Sequence, residues 1–251
     1  MTAPRVYHTE AIVIRRTKLG EADRILTLYT PELGKLRAVA KGARRPGSKL
    51  GGNVELLTHS MMMLARGRNL DIITQSQTID SFLSLKSDLW RISCALYATE
   101  LIDRSTAERI ENRPLFVLLL NTLKRLSQAK EGELTLRYFE LHLLHHLGYH
   151  PQFQQCVACH LPLQPVTNLF SPAAGGVLCP RCGQDELVAS NLPVNALKVL
   201  RFLQDSDYDA VSRLRVSPEL SAELEQLMRR YINYLLEREV KSAAWLDKLR
   251  G

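Results

Sequence analysis

The sequence has no apolar run longer than six residues, Leu115 to Leu120. A helix needs about 20 such residues to span a bilayer, so no membrane segment is expected. Residues 1–15 hold no apolar core of the kind a secretory signal needs, and the expected compartment is the cytosol. Phosphate-cradling glycine loops, GxSxG and HExxH are all missing, and no carboxylate cluster is evident. The familiar constellations of phosphoryl transfer, acyl transfer and zinc proteolysis are therefore absent as motifs, although a triad can be assembled from distant residues. Aromatics are few, and residues 1–80 contain only Tyr7 and Tyr29.

Cysteine is scarce too, with five in 251 residues, but four fall in one stretch. It reads Cys156-Val157-Ala158-Cys159, then nineteen residues, then Cys179-Pro180-Arg181-Cys182. Two CxxC pairs at this separation form a zinc-site spacing. Each pair lets one tight turn aim two thiolates at the same ion, and four thiolates fill a tetrahedron. Disulfides would need an oxidising compartment, and a redox CxxC would not need a second pair. The site leaves no position open for water, so a structural zinc is expected, one per chain. Pro162, Pro165, Pro172, Gly175 and Gly176 crowd the intervening segment. It is poor in large apolar residues, and the metal is expected to supply its folding free energy. The fifth cysteine, Cys94, sits in a helical pattern and reads as a small buried hydrophobe.

Net charge is +7, unevenly placed. Residues 1–80 hold 13 Lys+Arg against 7 Asp+Glu, while the remainder holds 20 against 19. The excess suggests a polyanion partner for the first third of the chain. That third reads as strands: Ala11–Ile14, Arg24–Tyr29, Lys35–Lys41, Val54–Ala65 and Leu70–Thr78, with a Pro31-Glu32-Leu33-Gly34 turn. Five strands in about 80 residues fit a five-stranded OB barrel. In the third strand Leu36, Ala38 and Ala40 alternate with Lys35, Arg37 and Lys41, placing three cations on one face. Arg44, Arg45 and Lys49 continue them into a loop expected to be mobile, and Arg15, Arg16, Arg24, Arg66 and Arg68 extend the field. With so few aromatics to stack bases, binding is expected to follow backbone charge with little sequence preference.

Beyond residue 80 the period becomes helical. Helices are expected over Leu85–Arg104, from Pro114 to about Ser127 and along the Leu134–Leu147 stripe, the last closed by Gly148. Others are expected from Pro193 to about Gln204 and from a Ser217-Pro218 start to Leu235. His142 and His146 share a helix face, with His145 and His150 nearby, but no carboxylate stands at ligand spacing and they read as solvated or core residues. The expected architecture is α+β and multidomain. An OB-fold domain over 1–80 precedes an all-α helical domain over 81–251, which carries a zinc-ribbon-like insert at 151–185.

Leu19-Gly20-Glu21-Ala22-Asp23-Arg24 running into Ile25-Leu26-Thr27-Leu28 resembles the N-terminal signature of the bacterial RecO family. So do Gly34-Lys35-Leu36-Arg37 with Ala40-Lys41-Gly42-Ala43-Arg44-Arg45, and Gly67-Arg68-Asn69-Leu70-Asp71. Leu147-Gly148-Tyr149 leading into Cys156–Cys182 is similar to that family's zinc-bearing insert. The resemblance implies a non-enzymatic mediator of DNA repair and recombination, cytoplasmic and nucleoid-associated. Such a protein binds single- and double-stranded DNA and anneals complementary strands. With RecR it helps to load RecA on DNA coated by the single-strand binding protein SSB. The acidic, apolar-ended C-terminal tail of SSB would dock on the helical domain, with Lys124, Arg125 and Arg137 as rim residues, and RecR would join at the barrel or its borders. The alternative is a zinc-containing structural adaptor whose basic face is incidental.

Overall fold

The structure, a computed structural model, describes residues 5–128, 132–186 and 188–236. By packing, the chain divides near residue 130 into two compact units. The expected division at residue 80 follows the change of secondary structure instead.

The first unit is built on five strands: β1 (Val6–Leu19), β2 (Asp23–Thr30), β3 (Gly34–Ala40), β4 (His59–Ala65) and β5 (Asp71–Asp80). They close in the order β1-β2-β3-β5-β4, with β3 and β5 parallel and the other neighbours antiparallel. This is the Greek-key barrel of the OB fold. β1 is far longer than the apolar Ala11–Ile14 stretch, because its first half pairs with β4 and its second half with β2. Ala11, Val13, Leu26, Leu28, Leu36, Ala38, Ala40, Met62, Leu64 and Ile73 fill the interior. The alternation in the third strand therefore places Leu36, Ala38 and Ala40 inward as expected. The fourth strand starts at His59, later than Val54; a 3-10 turn at Gly52–Val54 precedes it.

Three helices share this unit: α1 (Leu83–Lys86), α2 (Leu89–Ser105) and α3 (Arg113–Gln128). The Leu85–Arg104 pattern thus breaks in two, because Asp88 caps α2 by accepting from the Arg91 amide. Between α2 and α3 the chain runs beside the start of β3, where the Arg109 amide donates to the Lys35 carbonyl at 2.7 Å. The approach is close enough to demand glycine at position 34. Its φ is +59°, and a Cβ there would lie 1.8 Å from the Ile110 carbonyl oxygen.

The second unit holds α4 (Glu133–His146), α5 (Val194–Asp205), α6 (Tyr208–Arg213) and α7 (Pro218–Leu236). Ser217 caps α7 by accepting from the Leu220 amide, and Pro218 takes the first helical position. Short α6 has too little apolar pattern to be legible beforehand. A sheet of order β7-β6-β8, from β6 (Asn168–Ser171), β7 (Gly176–Leu178) and β8 (Ser190–Leu192), lies between α4 and α5 in the chain.

Arg137 is corrected here. It is no rim residue but is buried between α4 and α7, with Nη2 donating to Glu140 at 2.5 Å and Nη1 3.5 Å from Glu225. Glu225 also accepts from Arg229 at 3.1 Å. Removing one partner of such a network strands a buried charge. Arg137→Ala is therefore expected to cost about 3–5 kcal/mol in urea unfolding, while exposed Lys124→Ala stays within about 0.5 kcal/mol.

Candidate nucleic-acid interface and metal centre

The cations of the first unit are sorted by one irregularity in β1. A bulge lies between Val13 and Arg15, and a bulge shifts the inward–outward alternation by one residue. Before it, Ala11 and Val13 face the core. After it, Arg16 stands opposite inward-facing Leu26, and Arg15 opposite Thr27 on the outer face.

On that outer face Thr27 stands opposite Arg37, and Tyr29 opposite Lys35. α2 places Asp103 there, 3.3 Å from both Arg15 and the Lys35 amine. Lys35 also donates to the Asp103 carbonyl oxygen. The Lys35 side chain is only 11% exposed, so it is a tie between barrel and helix rather than a phosphate contact, and it leaves the predicted stripe. Arg37 stays half-buried, its Nε is out of solvent without a hydrogen-bond partner, and it forms no ion pair among the described residues.

On the inner side, Arg16 and Arg24 converge on Glu55. One carboxylate oxygen pairs with Arg16 and the other lies 3.8 Å from Arg24. Of the eleven cations read from the sequence, four are therefore held by two acidic residues, Glu55 and Asp103. The sequence reading missed both, because each is far from its partners along the chain.

Lys41, Arg44, Arg45 and Lys49 are exposed. Their loop is a series of tight turns, with Arg45, Ser48, Gly51 and Asn53 amides donating three residues back. It is pinned to the β1–β2 turn by the Arg44 amide on the Ala22 carbonyl at 2.9 Å and the Gly42 amide on Asp23 at 2.7 Å. Asn53 fastens its far end to Ser60, Ser76 and Thr78. The expected mobile arm is in this structure a folded platform. Among the described residues Lys41, Arg45 and Lys49 carry no ion pair, and Arg44 donates to the Gly20 carbonyl at 3.1 Å.

Arg66 and Arg68 belong to a second locality, the β4–β5 loop. Gly67 makes its tight turn, where a Cβ would meet the Leu70 carbonyl at 1.9 Å. Arg66 lies over the Tyr7 ring, 5.1 Å from its centroid. Beneath sits Asp71, buried, accepting from Tyr7 at 2.6 Å, Arg109 at 3.0 Å and the Gly67 amide at 3.3 Å. Burial works against this carboxylate, but the donors of Tyr7, Arg109 and Gly67 outweigh it and hold its pKa below the ordinary range. Burial and Asp71 together push the Tyr7 hydroxyl up. Tyr29 is fully buried. Neither tyrosine of the barrel is a free stacking platform.

In the second unit the four cysteine sulfurs, Cys156, Cys159, Cys179 and Cys182, all lie within 4.8 Å of one another, Cys159 and Cys179 at 4.0 Å. Tetrahedral thiolates about 2.3 Å from one ion stand about 3.8 Å apart, so the set fits a metal. Each pair sits in its own turn. In the first, the His160 amide donates to the Cys156 carbonyl at 2.9 Å; in the second, the Gly183 amide donates to that of Cys179 at 3.0 Å. Burial disfavours the Cys156 thiolate, yet backbone amides from Cys159, Cys179 and Ala158 outweigh it and bring its pKa to about 6. Hydrogen bonding to Cys179 and Cys159 pushes Cys182 up to about 12. Four clustered thiols cannot all ionise without a cation to balance them. Among the described residues no other His, Cys, Asp or Glu group of three or more is drawn together in this way. His145 meets His150, Nδ1 to Nδ1 at 2.8 Å, and packs edge-on against His146 at 5.5 Å between centroids.

A family model described as "Recombination protein O N terminal" matches residues 1–82, and one described as "Recombination protein O C terminal" matches residues 86–244. A "DNA repair protein RecO" of Roseiflexus sp. (strain RS-1) is 50% identical over 246 residues, covering 98% of this chain and 87% of the relative. Proteins of the same name resemble it in Dehalococcoides mccartyi (strain ATCC BAA-2100 / JCM 16839 / KCTC 5957 / BAV1), at 44% over 250 residues, and in Symbiobacterium thermophilum, at 38% over 249 residues. The first of these alignments covers 100% of this chain and 98% of the relative, the second 98% of each.

The metal centre yields a direct test. Elemental analysis of protein purified without added metal should find about one equivalent per chain, and Cys179→Ser less than about half. Chelation should raise hydrogen exchange at residues 156–160 and 179–183 more than at Phe153 or Phe170, which are buried side chains of the adjoining core.

Proposed function

Because the chain belongs to the RecO family, we propose that it is a non-enzymatic DNA-binding mediator of repair and recombination. It binds single- and double-stranded DNA, anneals complementary strands and, with RecR, helps to load RecA on SSB-coated DNA in the cytoplasm, at the nucleoid. The observation that carries the DNA-binding part is the folded platform of Lys41, Arg44, Arg45 and Lys49 against the β1–β2 turn. OB folds take oligonucleotides on the strand 2–3 face and the loops after strands 1 and 4. Arg37 lies on that face, and Arg66 and Arg68 lie in the second of those loops. Phosphate contact by these groups is sequence-blind, which suits a protein that must work on any damaged sequence.

Zinc is the metal we assign to the cysteines. A closed set of four thiolates suits it, and its role there is structural. For the tail of SSB, Lys124 and Arg125 on α3 remain as rim residues. Exposed Val117 is seven residues from Lys124 and hence on the same helix face, offering apolar surface beside the cation. Equal retention of tailed and tailless SSB in pull-downs would remove this docking, and Lys124→Glu should weaken retention of the tailed form.

The DNA reading is tested by titrating single strands against salt. Log affinity should fall with log salt by about 0.7 per phosphate contact. Arg37→Ala should weaken binding evenly across sequences and shallow the slope by roughly one contact, whereas Lys41, Arg44 and Arg45 changed together to Glu should nearly abolish it. Leu36→Ala, inside the barrel, should cost about 2–5 kcal/mol of stability and leave the slope of the folded fraction alone. A folded triple variant with wild-type affinity and slope would put the adaptor reading ahead.

A further inference from the structure

We propose that Arg16 and Arg24 form a site for one backbone phosphate of single-stranded nucleic acid, and that the Glu55 carboxylate is the built-in occupant which that phosphate displaces. The inference rests on the DNA-binding reading above and adds to it an internal competitor.

The two arginines come from different strands and reach the same point. Arg16 stands opposite Leu26 and Arg24 opposite Ala40, both inward-facing residues of the barrel, so the two side chains leave the sheet on its inner side. There they meet a single carboxylate, one oxygen to each guanidinium. Two cations against one anion leave the locality positive. Lys86 and Asp80 adjoin it and add one charge of each sign: burial, the largest cause, lowers the Lys86 pKa, with Arg16 acting the same way and Glu55 and Asp80 opposing. A carboxylate and a phosphate offer guanidinium donors the same fork of anionic oxygens. A backbone phosphodiester carries two non-bridging anionic oxygens, as a carboxylate does, so it can take one guanidinium on each in place of Glu55.

Glu55 can leave and Asp103 cannot. The Glu55 side chain is 43% exposed, and its displacement needs only rotation of that side chain. The backbone around it stays anchored through the Leu57 amide on Val13 at 2.8 Å and the Thr58 amide on the Glu55 carbonyl at 3.1 Å. Asp103 is 17% exposed and holds Lys35 through both its carboxylate and its carbonyl. Exposed Lys18 stands opposite Arg24 in the β1–β2 ladder, and the loop bearing Lys41, Arg44 and Arg45 is fastened to the turn between those strands. Their field draws a polyanion toward the Glu55 site. Such a competitor weakens each encounter, so a strand held for annealing can also be released.

The test uses the full chain, oligo(dT) and fluorescence anisotropy across a salt series. Glu55→Asp keeps the net charge but shortens the arm that spans both arginines. It should bind about tenfold tighter than the natural protein at low salt, with the log–log slope little changed, because the same phosphate fills the site in both. Glu55→Gln should do the same, and adding Arg24→Ala to it should erase the gain. Glu21→Gln is the control, since Glu21 is exposed on the same turn and has no ion pair among the described residues. It should alter affinity by less than about twofold and leave the slope unchanged. Glu55→Asp indistinguishable from the natural protein, with Glu55→Gln no stronger than Glu21→Gln, would overturn the proposal while leaving DNA binding intact. Failure of the natural protein to bind would overturn both. In case the Glu55 variants do not fold, arginine side-chain NMR of the natural protein decides. The Arg16 and Arg24 Nε–H signals should both move on saturation with oligo(dT), and unmoved signals at saturation would sink the idea.

Discussion

Closure of the barrel through β1 is the constraint on which the first unit depends. One strand must pair with β4 along its first half and with β2 along its second, and a strand that bends this far needs a bulge. The bulge between Val13 and Arg15 does more than bend. It exchanges the faces, so that of two adjacent arginines, which any strand sends to opposite sides, Arg16 rather than Arg15 turns inward. Arg15 goes outward to Asp103 on α2, and Arg16 goes inward to Glu55 ahead of β4. Helix attachment on one side and loop attachment on the other therefore follow from the same extra residue.

The cysteine segment rests on two sources of order. Phe153, Phe170, Val177 and Leu192 are buried, and Phe170 packs edge-on against Tyr231 of α7 at 5.2 Å between centroids. Burying side chains of this size contributes about 1.5–3 kcal/mol each relative to exposure. The expectation that metal alone supplies the folding free energy of this segment is thus too strong. The β7-β6-β8 sheet has an apolar footing on α7. A metal bound by the four thiolates would hold the two CxxC turns, in which Cys156 is buried but Ala158, Pro180 and Arg181 are exposed.

Alternation and spacing made much of this legible. Leu36, Ala38 and Ala40 declared their face, the CxxC pairs their convergence, and Ser217-Pro218 the start of α7. What stayed hidden depends on contacts distant in sequence. Nothing local marks Lys35 as buried, because its cover is Asp103, and nothing marks Arg137 as internal, because Glu225 lies on another helix. The break at Asp88 was obscured since apolar residues continue on both sides of it. β6, β7 and β8 are three or four residues each, too short for a period to show. The OB barrel itself was readable as five strands and turns, but strand order was not, because the parallel β3–β5 pair joins residues more than thirty positions apart.

Charge illustrates why a count cannot replace a structure. The basic excess of residues 1–80 is real, yet Glu55 and Asp103 each hold two of the cations that the sequence assigns to one field. An exposed ion pair is worth little to stability, about 0–1 kcal/mol, so the pairs of Arg15 and Arg16 contribute weakly to the fold while they change what a polyanion meets. The strongest unopposed charge is on Lys41, Arg45 and Lys49, which the turns of the loop hold at the surface. These lysines and arginines were the least ordered part of the sequence reading. In the folded chain they stand on a scaffold of backbone hydrogen bonds, and a cation so placed loses less conformational entropy on meeting a phosphate than one on a free arm.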